Sequence, residues 1–303
     1  MDRIKGVSLI VLGAAFWGAT GPLAEVLFSS TGMTVPFMLA LRLIVAGIFL
    51  LTFLLAMKKP IFLIWNSKVW ARDLVIFSII GMLGVQYSFN ATIHESNAVF
   101  ATLIQFLGPI FIVAYVSFNV RKWPPKSQVF GIFGTLIGLF LLLTNASFTS
   151  LLVSKEALIW GFIEGITFAF YTLYPANLMK EWGVFIVVGW GMLIGGVLLC
   201  FSISIWKSNE WTMLADGTTL TIFALSILFG TLGFVFFLSS LKYISPILTS
   251  VLSSIEPLTA MILSIFLFQT TLAPWQLIGA LIILVSVTWL SIAGEKTEKI
   301  KTE

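Results

Sequence analysis

Three ionisable side chains lie inside long apolar stretches of this sequence, where such groups are costly. They are Arg42, Glu164 and Glu256. An ionisable residue at the centre of a membrane helix carries an insertion penalty of about 2.5–3.5 kcal/mol, so it normally faces a cavity or a partner. A carboxylate can bind an ammonium group or a proton, whereas a guanidinium binds a carboxylate. The three residues therefore predict a site for a small zwitterionic solute.

The position of each residue along its apolar stretch indicates its depth. Glu256 lies about 16 Å into its segment at a rise of about 1.5 Å per residue, near the bilayer midplane. Arg42 and Glu164 each lie about 10–12 Å from the expected outer surface. These two either face one cavity or form a structural ion pair, and Arg42 has the further option of reaching the headgroups. The alternative for Glu256 is a carboxyl that caps backbone freed by Pro257.

Other polar and aromatic residues complete the candidate substrate-binding or coupling set. Their hydroxyl, amide and ring groups can bind a solute or, equally well, join helices. Tyr174 precedes Pro175, and a proline inside a span bends a helix and frees a carbonyl group. No metal or cofactor is expected. The additional members of the set are Tyr87, Asn90, Gln105, Tyr171, Tyr174, Ser253 and Trp17.

Composition places almost the whole chain in a lipid bilayer. Of its 303 residues, 59% are hydrophobic and 10% are charged, whereas soluble domains carry about 25% charged residues. The sequence contains no G-x-S-x-G, H-E-x-x-H or phosphate-loop motif, and it has a single histidine. We therefore expect neither an enzyme nor a nucleic-acid-binding protein.

The apolar runs predict an all-α integral membrane protein of ten transmembrane helices. Each run is close to the length of about 20 residues that spans a bilayer. A start with Arg3 and Lys5 resembles a signal peptide, but the run continues without a cleavage site, so it is interpreted as the first span. The predicted spans are 6–28, 34–57, 72–92, 97–119, 127–145, 157–178, 184–206, 218–240, 245–268 and 273–293.

The distribution of lysine and arginine predicts that both termini lie in the cytoplasm. With the N-terminus inside, 14 of these residues fall in inner segments and 2 in outer loops, and Arg42 lies within a span. Short loops rich in lysine and arginine stay in the cytoplasm. A miscounted span would reverse every later loop and spoil this separation. The charges therefore favour an even number of spans in the cytoplasmic membrane.

Weak internal repetition divides the chain into two halves. At an offset of 148 residues, Pro109 aligns with Pro257 and Gly131 with Gly279. Each half contains five spans, an odd number, so the copies have opposite orientations in the membrane. The predicted organisation is an inverted repeat, with residues 1–148 as the first copy, 149–294 as the second and 295–303 as a charged cytoplasmic tail. Such repeats suit alternating access to a central site.

Several motifs resemble the drug/metabolite transporter superfamily, specifically its EamA-type members. Residues 16–20, with the sequence FWGAT, resemble the family's first-helix pattern, Arg42 resembles an arginine common in its second helix, and Glu256-Pro257 resembles an acidic-proline step in its ninth. The family often has a glutamate about twelve residues after each repeat proline. Here those positions are Arg121 and Gln269, so no role is carried over to them.

The resemblance implies ten helices in two five-helix halves and transport of amino acids or other small metabolites, often outward and in some members proton-coupled. Together with the ionisable residues, it predicts a secondary active transporter that exports an amino acid or related zwitterion by alternating access. Its partners are a small-molecule substrate and the lipid bilayer, and it exists as a monomer or a homodimer. The alternatives are a carrier for another amphoteric metabolite or drug, and a membrane sensor or assembly subunit that transports nothing.

Overall fold

The computed structural model describes residues 2–147, 152–240, 243–244, 252, 255–269 and 271–302. All regular secondary structure in these ranges is helical. Short 3₁₀ turns lie in the connections at Leu63–Asn66, Ile205–Lys207 and Asn209–Ala215. The α-helices are α1 (Asp2–Thr31), α2 (Val35–Ala56), α3 (Lys68–Ile76), α4 (Gly84–Glu95), α5 (Ala98–Ile104), α6 (Leu107–Val120), α7 (Lys126–Thr144), α8 (Lys155–Leu173), α9 (Ala176–Trp182), α10 (Val184–Ser202), α11 (Gly217–Ser240), α12 (Ile255–Phe268) and α13 (Pro274–Thr302).

Seven helical stretches in the described residues are long and apolar enough to cross a membrane. They are Arg3–Thr31, Val35–Ala56, Lys68–Glu95, Ala98–Val120, Lys155–Leu173, Val184–Ser202 and Gly217–Phe237. Three shorter apolar helices, Gln128–Thr144, Ile255–Phe268 and Pro274–Trp289, fall within the remaining predicted spans. Most of the first part of the ninth span, residues 245–254, lies outside the described residues. The all-helical class is confirmed, whereas the count of ten spans and the position of the termini stay predictions.

Two predicted spans are interrupted near a proline. In the fourth, α5 ends at Ile104 and α6 begins at Leu107, and the Gly108 N–H bonds the Gln105 carbonyl at 2.8 Å in a tight turn. Pro109 explains this break, because its ring would clash with the carbonyl four residues earlier. In the sixth, Pro175 separates α8 from α9. Both helix interruptions lie inside segments for which the sequence predicted a single transmembrane span.

A third interruption has no proline. The π-helical segment Phe77–Leu83 lies between α3 and α4 within the third predicted span. Such segments are rare in proteins and often lie near functional sites. Gly81 and Gly84 of this region contact Phe170 and Thr167 of α8, so the irregular helix packs directly on the helix that carries Glu164.

The helix pairs in the bundle follow a symmetrical pattern. Helix α1 packs against α11 and α12, and α8 packs against α4 and α6. Helix α2 packs against α10, and α7 packs against α13. If the five spans of one predicted half are exchanged with those of the other, each of these pairs maps onto another pair or onto itself. This pairing is the arrangement that a two-fold repeat would produce.

Glycines let α7 and α13 meet at backbone distance. A Cβ atom added to Gly138 would lie 2.7 Å from the Gly279 carbonyl oxygen, and one added to Gly279 would lie 2.6 Å from the Gly138 carbonyl oxygen. Small residues at such positions allow the close van der Waals packing that holds membrane helices together. Gly134 faces Ser286 of α13 in the same way, so the Gly134 to Gly138 spacing serves packing within the chain.

We expect Gly138→Ala to lower the melting temperature of the detergent-solubilised protein. The added methyl group forces α7 and α13 apart, and overpacking of this kind costs about 1–3 kcal/mol. Gly217→Ala is the matched control, because nothing lies within 4 Å of a Cβ atom at that position. The melting temperature is measured by heating samples and using gel filtration to quantify the folded protein that remains. Equal melting temperatures for the two variants would contradict the packing assignment.

Candidate functional site

Glu164 lies in the middle of α8 and is completely buried. Ser154 starts the helix by accepting a hydrogen bond from the Ala157 N–H at 3.0 Å. Gly161 and Gly165 then pack against Ile104 and Leu107, so this face of α8 is pressed against the fourth predicted span. Because the two glycines allow this close packing, the carboxyl of Glu164 on the same helix lies in the protein interior.

Neither carboxylate oxygen of Glu164 has a hydrogen-bond partner among the described residues. The Thr92 hydroxyl is close enough to influence the carboxyl, but it donates its hydrogen to the Ser88 carbonyl at 2.8 Å. The second neighbour that acts on Glu164 electrostatically is the carboxyl of Glu256. A buried polar group without a partner is costly, so a ligand that supplies hydrogen-bond donors would be bound favourably here.

Glu256 stands in the first turn of α12. Its carbonyl oxygen is in contact with Gly18 of α1, where a Cβ atom would overlap it. The side chain is withdrawn from bulk water but keeps part of its surface accessible. The carboxyl groups of Glu164 on α8 and Glu256 on α12 are close enough to interact electrostatically, and in the described ranges no lysine or arginine forms an ion pair with either.

Arg42 lies on α2 and contacts a different helix. Its Nη2 atom is 3.1 Å from the position that a Cβ atom on Gly230 of α11 would occupy. Within the described part of the chain, no carboxylate lies within 4.0 Å of the guanidinium. The alternative of an Arg42–Glu164 ion pair is therefore wrong. Although α2 and α8 both contact α4, the guanidinium of Arg42 lies against Gly230 of α11 and not against Glu164.

Two consecutive residues of α1 contact the surroundings of the positive and the negative side chains. Trp17 donates a hydrogen bond from Nε1 to the Gly230 carbonyl oxygen at 3.2 Å, and Gly230 is the residue that Arg42 contacts. Gly18, the next residue, contacts Glu256. The positive and negative groups are thus arranged around the same level of α1, and none of them has a counter-charge among the described residues.

The remaining tyrosines and Gln105 of the candidate set have different surroundings. Tyr87 and Tyr171 pack against aromatic rings, with centroids 5.5 Å from Trp160 and 5.6 Å from Phe77. Gln105 stands at the break of the fourth span. Tyr174 is exposed, and its hydroxyl lies 3.4 Å from the Asp73 carboxylate near the start of the third span. Tyr174 is therefore about ten residues along the helix from Glu164, or about 15 Å.

Asn90 is another buried residue with unused hydrogen-bonding capacity. Its side-chain nitrogen donates to the Gln86 carbonyl at 2.7 Å, while its oxygen has no partner in the described ranges. Ser253 lies outside the described residues. The part of the chain that the structure describes holds no cluster of three or more metal-ligating side chains.

Sequence reasoning missed two residues that shape the site. Gly230 and Thr92 are uncharged, and neither position carries a signal apart from polarity or small size. In the structure, Glu25 is half-buried and its carboxylate accepts a hydrogen bond from the Ala98 N–H at 2.8 Å, at the start of α5.

Comparisons with known proteins match this chain along its length. A model of the EamA-like transporter family matches residues 4–144 and 155–292. An uncharacterised inner membrane transporter of Salmonella typhimurium, YicL, is 35% identical over 295 residues, 96% of this chain and 97% of that protein. The uncharacterised transporter YwfM of Bacillus subtilis is 25% identical over 95% of both chains. A crystal structure shares the fold with a TM-score of 0.60 at 16% identity, covering 96% of this chain and 97% of that one.

Proposed function

The chain belongs to the EamA-like transporter family and is a multi-pass protein of the cytoplasmic membrane, and from this premise we propose that it carries an amino acid or related zwitterion. The observation that carries the proposal is the separation of unpaired charges. Arg42 has no carboxylate partner, and Glu164 and Glu256 have no cationic partner, in the described ranges. A zwitterion supplies both missing groups at once.

The free-energy cost of burying an unpaired charge explains why this arrangement favours a bound solute over a structural role. A structural ion pair brings opposite charges together, because an uncompensated buried charge is strongly destabilising. Here the charges contact different helices around Trp17 and Gly18. A substrate carboxylate at Arg42 and a substrate ammonium group at the two glutamates would compensate all three side chains.

We further propose alternating access with the two halves as the moving units, and export coupled to protons. The symmetrical helix pairs support this view, because two similar packings can exchange roles and open a central site to either side. The two stretches matched by the family model, 4–144 and 155–292, fall on the two proposed halves. Protons compete with ammonium groups for carboxylates, so the glutamates offer a means of coupling.

The experiment that tests the proposal is uptake and counterflow in liposomes that contain only this purified protein. The panel comprises radiolabelled amino acids, amines and carboxylates, with and without an imposed pH gradient. Saturable flux restricted to zwitterions is the expected result. Flux of purely anionic or cationic solutes would redirect the substrate assignment, and no flux across a broad panel would favour a sensor or assembly subunit.

A further inference from the structure

An apolar groove lies along α10, next to the third predicted span. Its volume is about 440 Å³, and every side chain that lines it is aliphatic or aromatic. Val197 and Phe201 on its wall are 39% and 67% exposed, so the groove opens to the surroundings of the protein. The residues that define it are Trp65, Ile79, Trp190, Leu193, Ile194, Val197, Leu198 and Phe201.

The length of the groove matches one acyl chain. Its wall on α10 runs from Trp190 to Phe201, which corresponds to about 16 Å at the helical rise. The hydrocarbon core of a bilayer is about 30 Å thick. The groove therefore covers about the depth of a single leaflet.

One end of the groove is held by an aromatic cluster. The Trp190 Nε1 atom donates a hydrogen bond to the Ile61 carbonyl oxygen at 2.8 Å, and the rings of Trp65 and Trp190 meet edge to face at 5.2 Å. Tryptophan is enriched where a membrane protein passes the headgroup region. This end of the groove is therefore expected at the membrane interface.

The same end carries unpaired positive charge. Lys58 and Lys59 precede Ile61, and Lys68 follows Trp65; all three are exposed. In the part of the chain that the structure describes, none of them forms an ion pair. The acidic residue of this region, Asp73, is already paired with Arg72 at 3.0 Å.

We propose that the groove binds one acyl chain of an anionic glycerophospholipid, whose phosphate headgroup contacts Lys58, Lys59 and Lys68. The apolar wall accounts for binding of the chain, and the lysines account for selection of the headgroup. The orientation predicted from the charges places this loop on the cytoplasmic side, where anionic headgroups attract basic segments. The site is independent of the solute site between α1, α2, α8 and α12.

Native mass spectrometry of the delipidated full-length protein tests the proposal. Phosphatidylglycerol and phosphatidylcholine with identical acyl chains are titrated separately. The wild type is expected to retain one phosphatidylglycerol under conditions that remove phosphatidylcholine. The triple variant K58Q/K59Q/K68Q is expected to lose about tenfold or more in phosphatidylglycerol retention, because each lysine near an anionic headgroup adds attraction.

Two further variants separate the groove from general surface charge. Val197→Trp fills the groove and should abolish retention of phosphatidylglycerol. Leu198→Trp, also in the wall, serves as a second test where the first alters the elution profile. R121Q/K122Q/K126Q removes three charges from another loop and should leave retention unchanged. Equal retention of the two lipids by the wild type, or equal losses in the two triple variants, would overturn the proposal.

Discussion

Arg42→Gln is expected to weaken transport of carboxylate-bearing solutes by about 10- to 100-fold, with little effect on amines that lack a carboxylate. The guanidinium contacts Gly230 and has no carboxylate partner in the described ranges, so its hydrogen-bonding capacity is available to a substrate. Charge-assisted hydrogen bonds contribute about 1.5–3 kcal/mol, and about 1.4 kcal/mol corresponds to a tenfold change in affinity. Competition of unlabelled amino acids and matched amines in proteoliposome counterflow measures the difference.

Two further variants test whether the effect of Arg42→Gln is specific to this guanidinium. Arg72→Gln removes an exposed guanidinium that is already paired with Asp73, and it should leave affinity unchanged. Gly230→Ala retains the charge but places a methyl group 3.1 Å from the Arg42 Nη2 atom, so the guanidinium must shift, and it should weaken the same carboxylate-bearing solutes. If Arg42→Gln weakened amines and amino acids equally in a well-folded preparation, Arg42 would not bind the substrate carboxylate.

Glu256→Gln is expected to reduce affinity for ammonium-bearing solutes by about 10- to 100-fold, on the same hydrogen-bond energies. In the wild type, affinity should fall as the pH falls, because protonation removes the negative charge that binds the ammonium group. In the variant this pH dependence should become flatter, since glutamine does not titrate. Counterflow at a series of equal internal and external pH values separates the effect on affinity from the effect of a proton gradient.

Glu164→Gln is the informative partner of this substitution. If the two carboxyls share one ammonium group or proton, the losses in the double variant should be clearly less than the sum of the single losses. Glu181→Gln, at an exposed position near the end of α9, is the control. Wild-type flux, affinity and pH dependence in Glu256→Gln would remove Glu256 from the site.

The irregular helices show where prediction from sequence reaches its limit. Pro109 and Pro175 mark two breaks, because a missing N–H and a steric clash act locally. The π-helical segment Phe77–Leu83 carries no such mark. The π-helical form is defined by the carbonyl group to which each backbone N–H donates its hydrogen bond. In this segment it occurs together with the packing of Gly81 and Gly84 against α8.

The sequence by itself determined the membrane class, the helical secondary structure and the order of the apolar segments. These properties follow from residue type and from distance along a helix, which are local quantities. Only the tertiary structure decided that Arg42 lies against Gly230 of α11 and forms no ion pair with Glu164. The direction in which a helix presents its side chains depends on contacts with other helices, such as Gly18 against Glu256 and Gly230 against Arg42, and hydropathy contains no information about those contacts.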